Sequence, residues 1–255
     1  MHQGFIMDLT QFTTEYTSDM YRRGLDIQNV QKHQVEKSIN KYILSDGGLS
    51  ASEIEKDWFP EINANVFLSH SHKDEKKVLE LAGFLQSHGL KPFVDSFIWG
   101  YAEDLLKEIN NQYNIIDRKG ESITYQYNGC NYVAANVYMI LNGALQKMID
   151  NTECVIFLET PNSIKAKDAR TASGITESSW IYSELLTTEF IRKKATGRLA
   201  HTEKRFDEQA SVPHFEYNVV LNHLIDLPAN ILKNACNSCS GVDILDHLYG
   251  IMIKP

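Results

Sequence analysis

The run Asn65-Val-Phe-Leu-Ser-His-Ser-His-Lys-Asp74 constrains the fold more than any other segment. Three consecutive apolar residues, Val66 to Leu68, stop abruptly in polar ones. Such a short unbroken run is expected of a strand covered on both faces by helices in a parallel sheet. A helix follows, with Val78, Leu81, Ala82 and Leu85 on one face and its end at Gly89. Lys91 to Asp95 supply a second short strand. Strand, helix and strand within about thirty residues make a βαβ unit, with parallel strands and a right-handed crossover.

Cys154 to Leu158 form another buried run, predicting a third strand. Between strands two and three the helical pattern is split, beginning at Ala102 to Asn110 and resuming over Tyr132 to Ile149. The polar stretch 117–131 reads as an insertion. Within it Ile123, Tyr125 and Tyr127 alternate with polar residues and finish at Asn128-Gly129, so a small hairpin is expected. After the third strand come a loop from Pro161 to Thr176 and a helix from about Glu177 to Lys193. A long loop to Val212, short strands at Tyr217 to Leu221 and Leu224 to Leu227, and a closing helix at Val242 to Met252 complete the reading. Residues 1–60 read as a helical N-terminal extension, because Leu9, Phe12, Tyr16 and Met20 make one apolar stripe and Ser50 with Glu53 suggest a capping box ahead of Pro60. The bland role, a helical pair packed on the domain formed by 61–255, is preferred over an oligomerisation arm.

A chain of 255 residues with 43% hydrophobic content can bury one generous core. Acidic residues outnumber basic ones, 33 to 25, and the net charge of -8 disfavours nucleic acid as a partner. No segment has the length and apolarity of a membrane span, and the first residues lack a charged leader before an apolar block. The expectation is a soluble, cytoplasmic protein without membrane attachment. The four cysteines are scattered, which suits a reducing compartment. Cys236 and Cys239 form a CxxC with only His223 and His247 as further candidates nearby, so a zinc site is the less favoured reading and no metal is assigned.

The first-strand run, the helix closing at Gly89 and Pro92-Phe-Val-Asp95 resemble the opening of a TIR (Toll/interleukin-receptor) domain. Ser178-Ser-Trp-Ile-Tyr-Ser-Glu184 sharpens the resemblance, because TIR enzymes place an aromatic residue four positions before a catalytic glutamate in the helix after the third strand. The likeness covers roughly Ala64 to Ile191. It implies an α/β fold with a flavodoxin-like parallel sheet flanked by helices, and ligands in such sheets lie outside the carboxyl ends of the strands. It also implies an enzyme that consumes NAD+ as substrate rather than holding it as a cofactor, with Glu184 as catalytic residue. Substrate contacts are expected from Ser69, His70 and Ser71 after the first strand, Phe97 and Trp99 in a gating loop after the second, and Trp180 beside Glu184.

The chemistry suits these residue types. Nicotinamide leaves NAD+ as a neutral molecule, so no general acid is required, but the ribose acquires oxocarbenium character that a fixed carboxylate can stabilise. A unit charge about 4 Å away contributes roughly 4 kcal/mol at an effective dielectric near 20, or about three powers of ten in rate. Trp180 and Glu184 stand one helical turn apart on one face. Taken alone, a W-x-x-x-E is more often a packing aromatic and a solvated acid. Ser71 or Asp74 would equally serve as helix caps, and backbone N–H groups there would suit a pyrophosphate.

A hydride-transferring enzyme is disfavoured by the lack of GxGxxG after the first strand. A phosphoacceptor receiver domain is disfavoured because Ser69-His70-Ser71 stands where an acidic pair is required. The main alternative is a non-catalytic TIR adaptor that acts as a self-associating scaffold. The resemblance also implies a homo-oligomer whose sites are completed by a neighbour's loop. Its single-domain form is similar to antiphage TIR proteins of the Thoeris type, which signal through a nucleotide product to a separate effector protein.

Overall fold

The computed structural model describes residues 3–32, 39–45, 48–58, 63–168, 173–191 and 216–252. In chain order, a strand β1 (Gln3–Asp8) and two helices, α1 (Thr17–Lys32) and α2 (Ala51–Trp58), precede the βαβ unit of β2 (Val66–Ser69), α3 (Glu75–Ser87) and β3 (Pro92–Val94). Helix α4 (Ser96–Tyr113), the strands β4 (Ile115–Lys119) and β5 (Ser122–Tyr125), and the long helix α5 (Tyr127–Asn151) lead to β6 (Cys154–Glu159). Then come β7 (Ala166–Asp168), β8 (Ser173–Thr176), α6 (Ser179–Phe190), β9 (Tyr217–Val220), β10 (Ile225–Asp226), α7 (Ala229–Ser238) and α8 (Asp243–Met252).

The three apolar runs became the buried strands β2, β3 and β6, and the central sheet has the order β10-β1-β6-β2-β3 with every pair parallel. Helices cover both faces, as an all-parallel sheet requires. From β3 inward, the second, first and third strands of the expected domain hold the places they have in a flavodoxin-like sheet. The fourth place is filled by β1, from the start of the chain.

This corrects the helical reading of residues 1–60 at its beginning, whereas α1 and α2 are helices as expected. Gln3–Asp8 pairs with β6 along its whole length, Phe5 opposite Ile156 and Met7 opposite Leu158, and Phe5, Ile6 and Met7 are buried on the two faces of the sheet. Leu9, Phe12 and Met20 do enter the core, but Leu9 and Phe12 do so from a short 3-10 turn (Leu9–Gln11) and the residue that ends it, and only Met20 lies in α1; Tyr16 is exposed. Helix α2 matches its expectation, with the Ser50 hydroxyl accepting from the Glu53 N–H and the last turn ending at Trp58.

Period-two alternation sorts the core into faces. Phe5, Met7, Val66, Leu68, Val94 and Ile156 face a layer of α1, α3, α7 and α8. Phe67, Phe93 and Val155 face α2, α4 and α5, while Ile6 and Phe157 face α6. Helix α3 ends in a Schellman motif: Gly89 has φ 86°, its N–H bonds Gln86 O, and the Leu90 N–H bonds Leu85 O. Helices α1 and α3 touch backbone to backbone, since a Cβ on Gly83 would lie 1.9 Å from Met20 O and one on Gly24 would lie 2.2 Å from Leu79 O.

The expected hairpin exists, but it turns at Gly120-Glu121, with Lys119 opposite Ser122 and Gly120 at φ 61°. Asn128 and Gly129 instead open α5, where Gly129 packs against the Asn114 side chain and leaves no room for a Cβ. The stretch expected to be a loop from Pro161 to Thr176 contains β7 and β8, which with β9 make a separate antiparallel sheet. Helix α7 was not anticipated. The loop expected from Lys193 to Val212 lies outside the described residues after 191. Among the described residues no helix is long and apolar enough to cross a membrane.

Candidate active site

Alternation along β2 decides what meets at the carboxyl end of the sheet. Phe67 faces the α4 and α5 layer, so Ser69, two residues on, points to the same side, where α6 lies. There the Ser69 hydroxyl donates a hydrogen bond to Glu184 Oε2. Glu184 is 1% exposed, in the middle of α6, whose first turn is capped by the Ser178 hydroxyl accepting from the Ile181 N–H. The sheet end thus encloses a carboxyl group.

Asp95, immediately after β3, brings a second carboxyl group within hydrogen-bond reach of Glu184. Two carboxylates cannot bond each other, whereas a carboxyl and a carboxylate can. Burial first, then the charge of Asp95 and the contact with it, raise the Glu184 pKa well above its ordinary value; the Ser69 hydroxyl opposes this to a smaller degree. This contact favours a protonated Glu184 beside an ionised Asp95.

His70 completes the group. It is buried, with Nδ1 3.1 Å from Asp95 Oδ1 and 3.2 Å from Leu68 O, and Nε2 3.0 Å from the Ser96 hydroxyl. Burial alone would lower its pKa, but the Asp95 charge, the contact with Asp95 and the Leu68 carbonyl outweigh that and raise it. Asp74, farther along the same loop, is held in place by the Thr160 hydroxyl at 2.6 Å and the Asn162 amide at 2.7 Å, which tie the β2 loop to the β6 loop.

Of the residues singled out in the sequence, Ser69, His70 and Glu184 come together. Ser71 is half-buried at the head of a 3-10 turn, His72–Asp74, and neither it nor Asp74 caps the following helix with its side chain. Phe97 and Trp99 do not lie in a loop: α4 starts at Ser96, directly after β3, so they occupy its first turns, and their side chains lie outside the described residues. The local cause is that Asp95 is already αR, at φ -64° and ψ -35°. Trp180 is half-buried, packs against the cluster around α5 and meets Tyr138 edge-on with ring centroids 5.9 Å apart. It sits one turn from Glu184, in a packing role in this conformation.

Asp95 and Ser96 were not chosen from sequence, although an acid at the end of a strand was visible there. Among the other acids, Glu177 pairs with Lys165 and Glu189 is exposed. Cys236 is part of the core under α7 and α8, with burial first and then Cys239 raising its thiol to about 12. An open cleft of about 520 Å³ between Thr13 to Tyr16, the end of α3 and α7 contains none of the site residues. Neither protein-family models, nor curated proteins, nor solved structures gave a match to the chain.

Proposed function

We propose that this chain is a TIR-type enzyme that cleaves the nicotinamide-ribose bond of NAD+, with Glu184 as the carboxylate that stabilises the ribosyl cation. The observation that supports the reading is the carboxyl pair of Glu184 and Asp95, buried together at the carboxyl ends of β2 and β3. A buried acid with a displaced ionisation at the ligand-binding edge of a parallel sheet is characteristic of catalytic groups.

The charge logic runs with the substrate. In the resting site burial and the neighbouring Asp95 favour the protonated form of Glu184. A pyridinium ribose brought beside it carries positive charge, which favours the ionised acid and drives the proton out of the pair. As the glycosidic bond breaks, its electrons leave with neutral nicotinamide and the cation on the ribose is met by the Glu184 carboxylate. Water as captor gives ADP-ribose, an internal nucleophile gives a cyclic isomer, and another molecule gives an ADP-ribose conjugate. Because Glu184 is sealed, α6 must shift before a ribose can touch it. Self-association is the natural trigger in this reading, and a diffusible product acting on a separate effector in antiphage signalling is the natural use.

The sealed, fully packed surroundings of Glu184 equally favour a scaffold that self-associates without turnover. Nicotinamide release from NAD+, followed over a series of protein concentrations, separates the two. The enzyme reading expects release that falls by about three powers of ten in Glu184→Gln, from the charge term above. Equal release by both proteins removes Glu184 from the mechanism, and no release at any concentration leaves the scaffold.

A further inference from the structure

His70 holds a second set of polar groups together beside the glutamate. His70 Nδ1 faces two acceptor oxygens, Leu68 O at 3.2 Å and Asp95 Oδ1 at 3.1 Å, so in the neutral ring Nδ1 carries the hydrogen. Nε2 is then the lone-pair nitrogen, and the Ser96 hydroxyl 3.0 Å away must be its donor. The imidazole is fully enclosed, whereas Ser96 is only half-buried and opens α4 immediately after β3. The order acid, imidazole, hydroxyl, each within hydrogen-bond distance of the next, is the arrangement that turns a serine into a nucleophile: the base takes the hydroxyl proton, and the acid fixes the tautomer and stabilises the imidazolium.

We propose that Ser96 is a nucleophile, with His70 as its general base and Asp95 orienting the ring, and that it captures the ribosyl group released beside Glu184. The identity of the electrophile rests on the NAD+ reading above; the activated serine does not.

The step balances without any further reactant. The bond between the anomeric carbon and the nicotinamide nitrogen breaks, and its electron pair leaves on neutral nicotinamide. A lone pair of Ser96 Oγ forms the new bond to the anomeric carbon, and the hydroxyl proton passes to His70 Nε2. The imidazolium is then paired with the Asp95 carboxylate. The chain is left carrying an ADP-ribosyl group on Ser96. Asp95 has two duties in this arrangement, since it touches Glu184 on one side and His70 on the other. The second duty requires Asp95 to be the ionised member of the carboxyl pair, which agrees with Glu184 being the one whose ionisation is suppressed.

Two probes on the full chain keep the serine and the substrate separate. The first is a fluorophosphonate, which reads serine nucleophilicity alone. Labelling of the wild type that maps to Ser96, and is lost in Ser96→Ala and reduced at least tenfold in His70→Gln, supports the proposal. Absence of labelling at Ser96 overturns the activated serine. The second is NAD+, with an acid quench and peptide mass mapping at early times. One ADP-ribosyl unit on the peptide containing Ser96, absent in Ser96→Ala, supports the capture step. Free nicotinamide with an unmodified Ser96 peptide overturns it. A chain that is labelled by the fluorophosphonate but releases no nicotinamide keeps the nucleophile and rejects NAD+ as its electrophile. Ser96→Ala removes a single half-exposed oxygen, so its folding is not in question if His70→Gln proves unstable.

Discussion

Replacing Glu184 by glutamine should make the protein more stable, and more so as the pH rises. The side chains have nearly the same shape, and the amide oxygen can still accept from Ser69. What disappears is an acid whose ionisation the fold disfavours. The native pKa of Glu184 is raised, first by burial and then by Asp95, from an ordinary value of 4.5. Between that value and the higher native one, the folded chain keeps a proton that the unfolded chain has released. Stability is therefore fully present below about 4.5 and is lost as the pH climbs through the native pKa. One such proton gives a slope of at most about 1.4 kcal/mol per pH unit within this window. The assay is urea unfolding of wild type and Glu184→Gln at half-unit steps from pH 4.5 to 8.5, with the difference in unfolding free energy plotted against pH. His70, whose pKa is also raised, contributes stability that is present below 6.5 and lost above its native pKa. It is present in both proteins, so to first order it drops out of the difference. The expected difference grows with pH in favour of the variant and then levels off. A flat difference, or one favouring the wild type at pH 8, would refute the buried, proton-holding pair on which the site chemistry depends.

Gly83→Ala tests the α1 and α3 contact. Helix propensity alone predicts a gain of about 1 kcal/mol, but the new methyl would sit 1.9 Å from Met20 O, so the overpacking cost of about 1–3 kcal/mol should win and lower the urea midpoint. Trp180→Ala should cost about 2 kcal/mol, roughly half the figure for a fully buried tryptophan, by loss of packing against Tyr138 and α5. Trp180→Phe that keeps both stability and nicotinamide release would mark the indole as packing only. Asp74→Ala should cost about 1–2 kcal/mol, because Thr160 and Asn162 lose their acceptor; hydrogen exchange should rise in the loops after β2 and β6 and not in α8.

The strands that the sequence made legible are those whose apolar runs are bounded by sharp polar signals: Val66–Leu68 before Ser69, Phe93–Val94 before Asp95, Cys154–Leu158 before Glu159. β1 has a similar run, Phe5 to Met7, but Leu9, Phe12 and Met20 continue it at helical spacing, and a strand buried on both faces has no alternation to set against that stripe. The antiparallel sheet of β7, β8 and β9 hid because its strands are three or four residues long and its pairing is non-local. In the site, Ser69, His70 and Glu184 were legible through the TIR resemblance of the segments that carry them, and strand and helix geometry then fixes where they point. Asp95 escaped because a strand-ending acid is a common turn residue, and its meaning depends on a helix more than eighty positions away. Phe97 and Trp99 were misread as loop because nothing in their residue types marks the immediate entry into α4.

The position of β1 ties together segments that lie far apart in the sequence. Its hydrogen-bonding partners are Cys154–Glu159 on one side and Ile225–Asp226 on the other. The middle of the sheet can close only when these three distant segments meet. Until then Phe5 to Met7 are an apolar strand without neighbours, of the kind that aggregates or engages chaperones. The high separation of these contacts predicts slow, late folding, and it means that deletion of Gln3–Asp8 leaves β6 as an open edge rather than a smaller working domain.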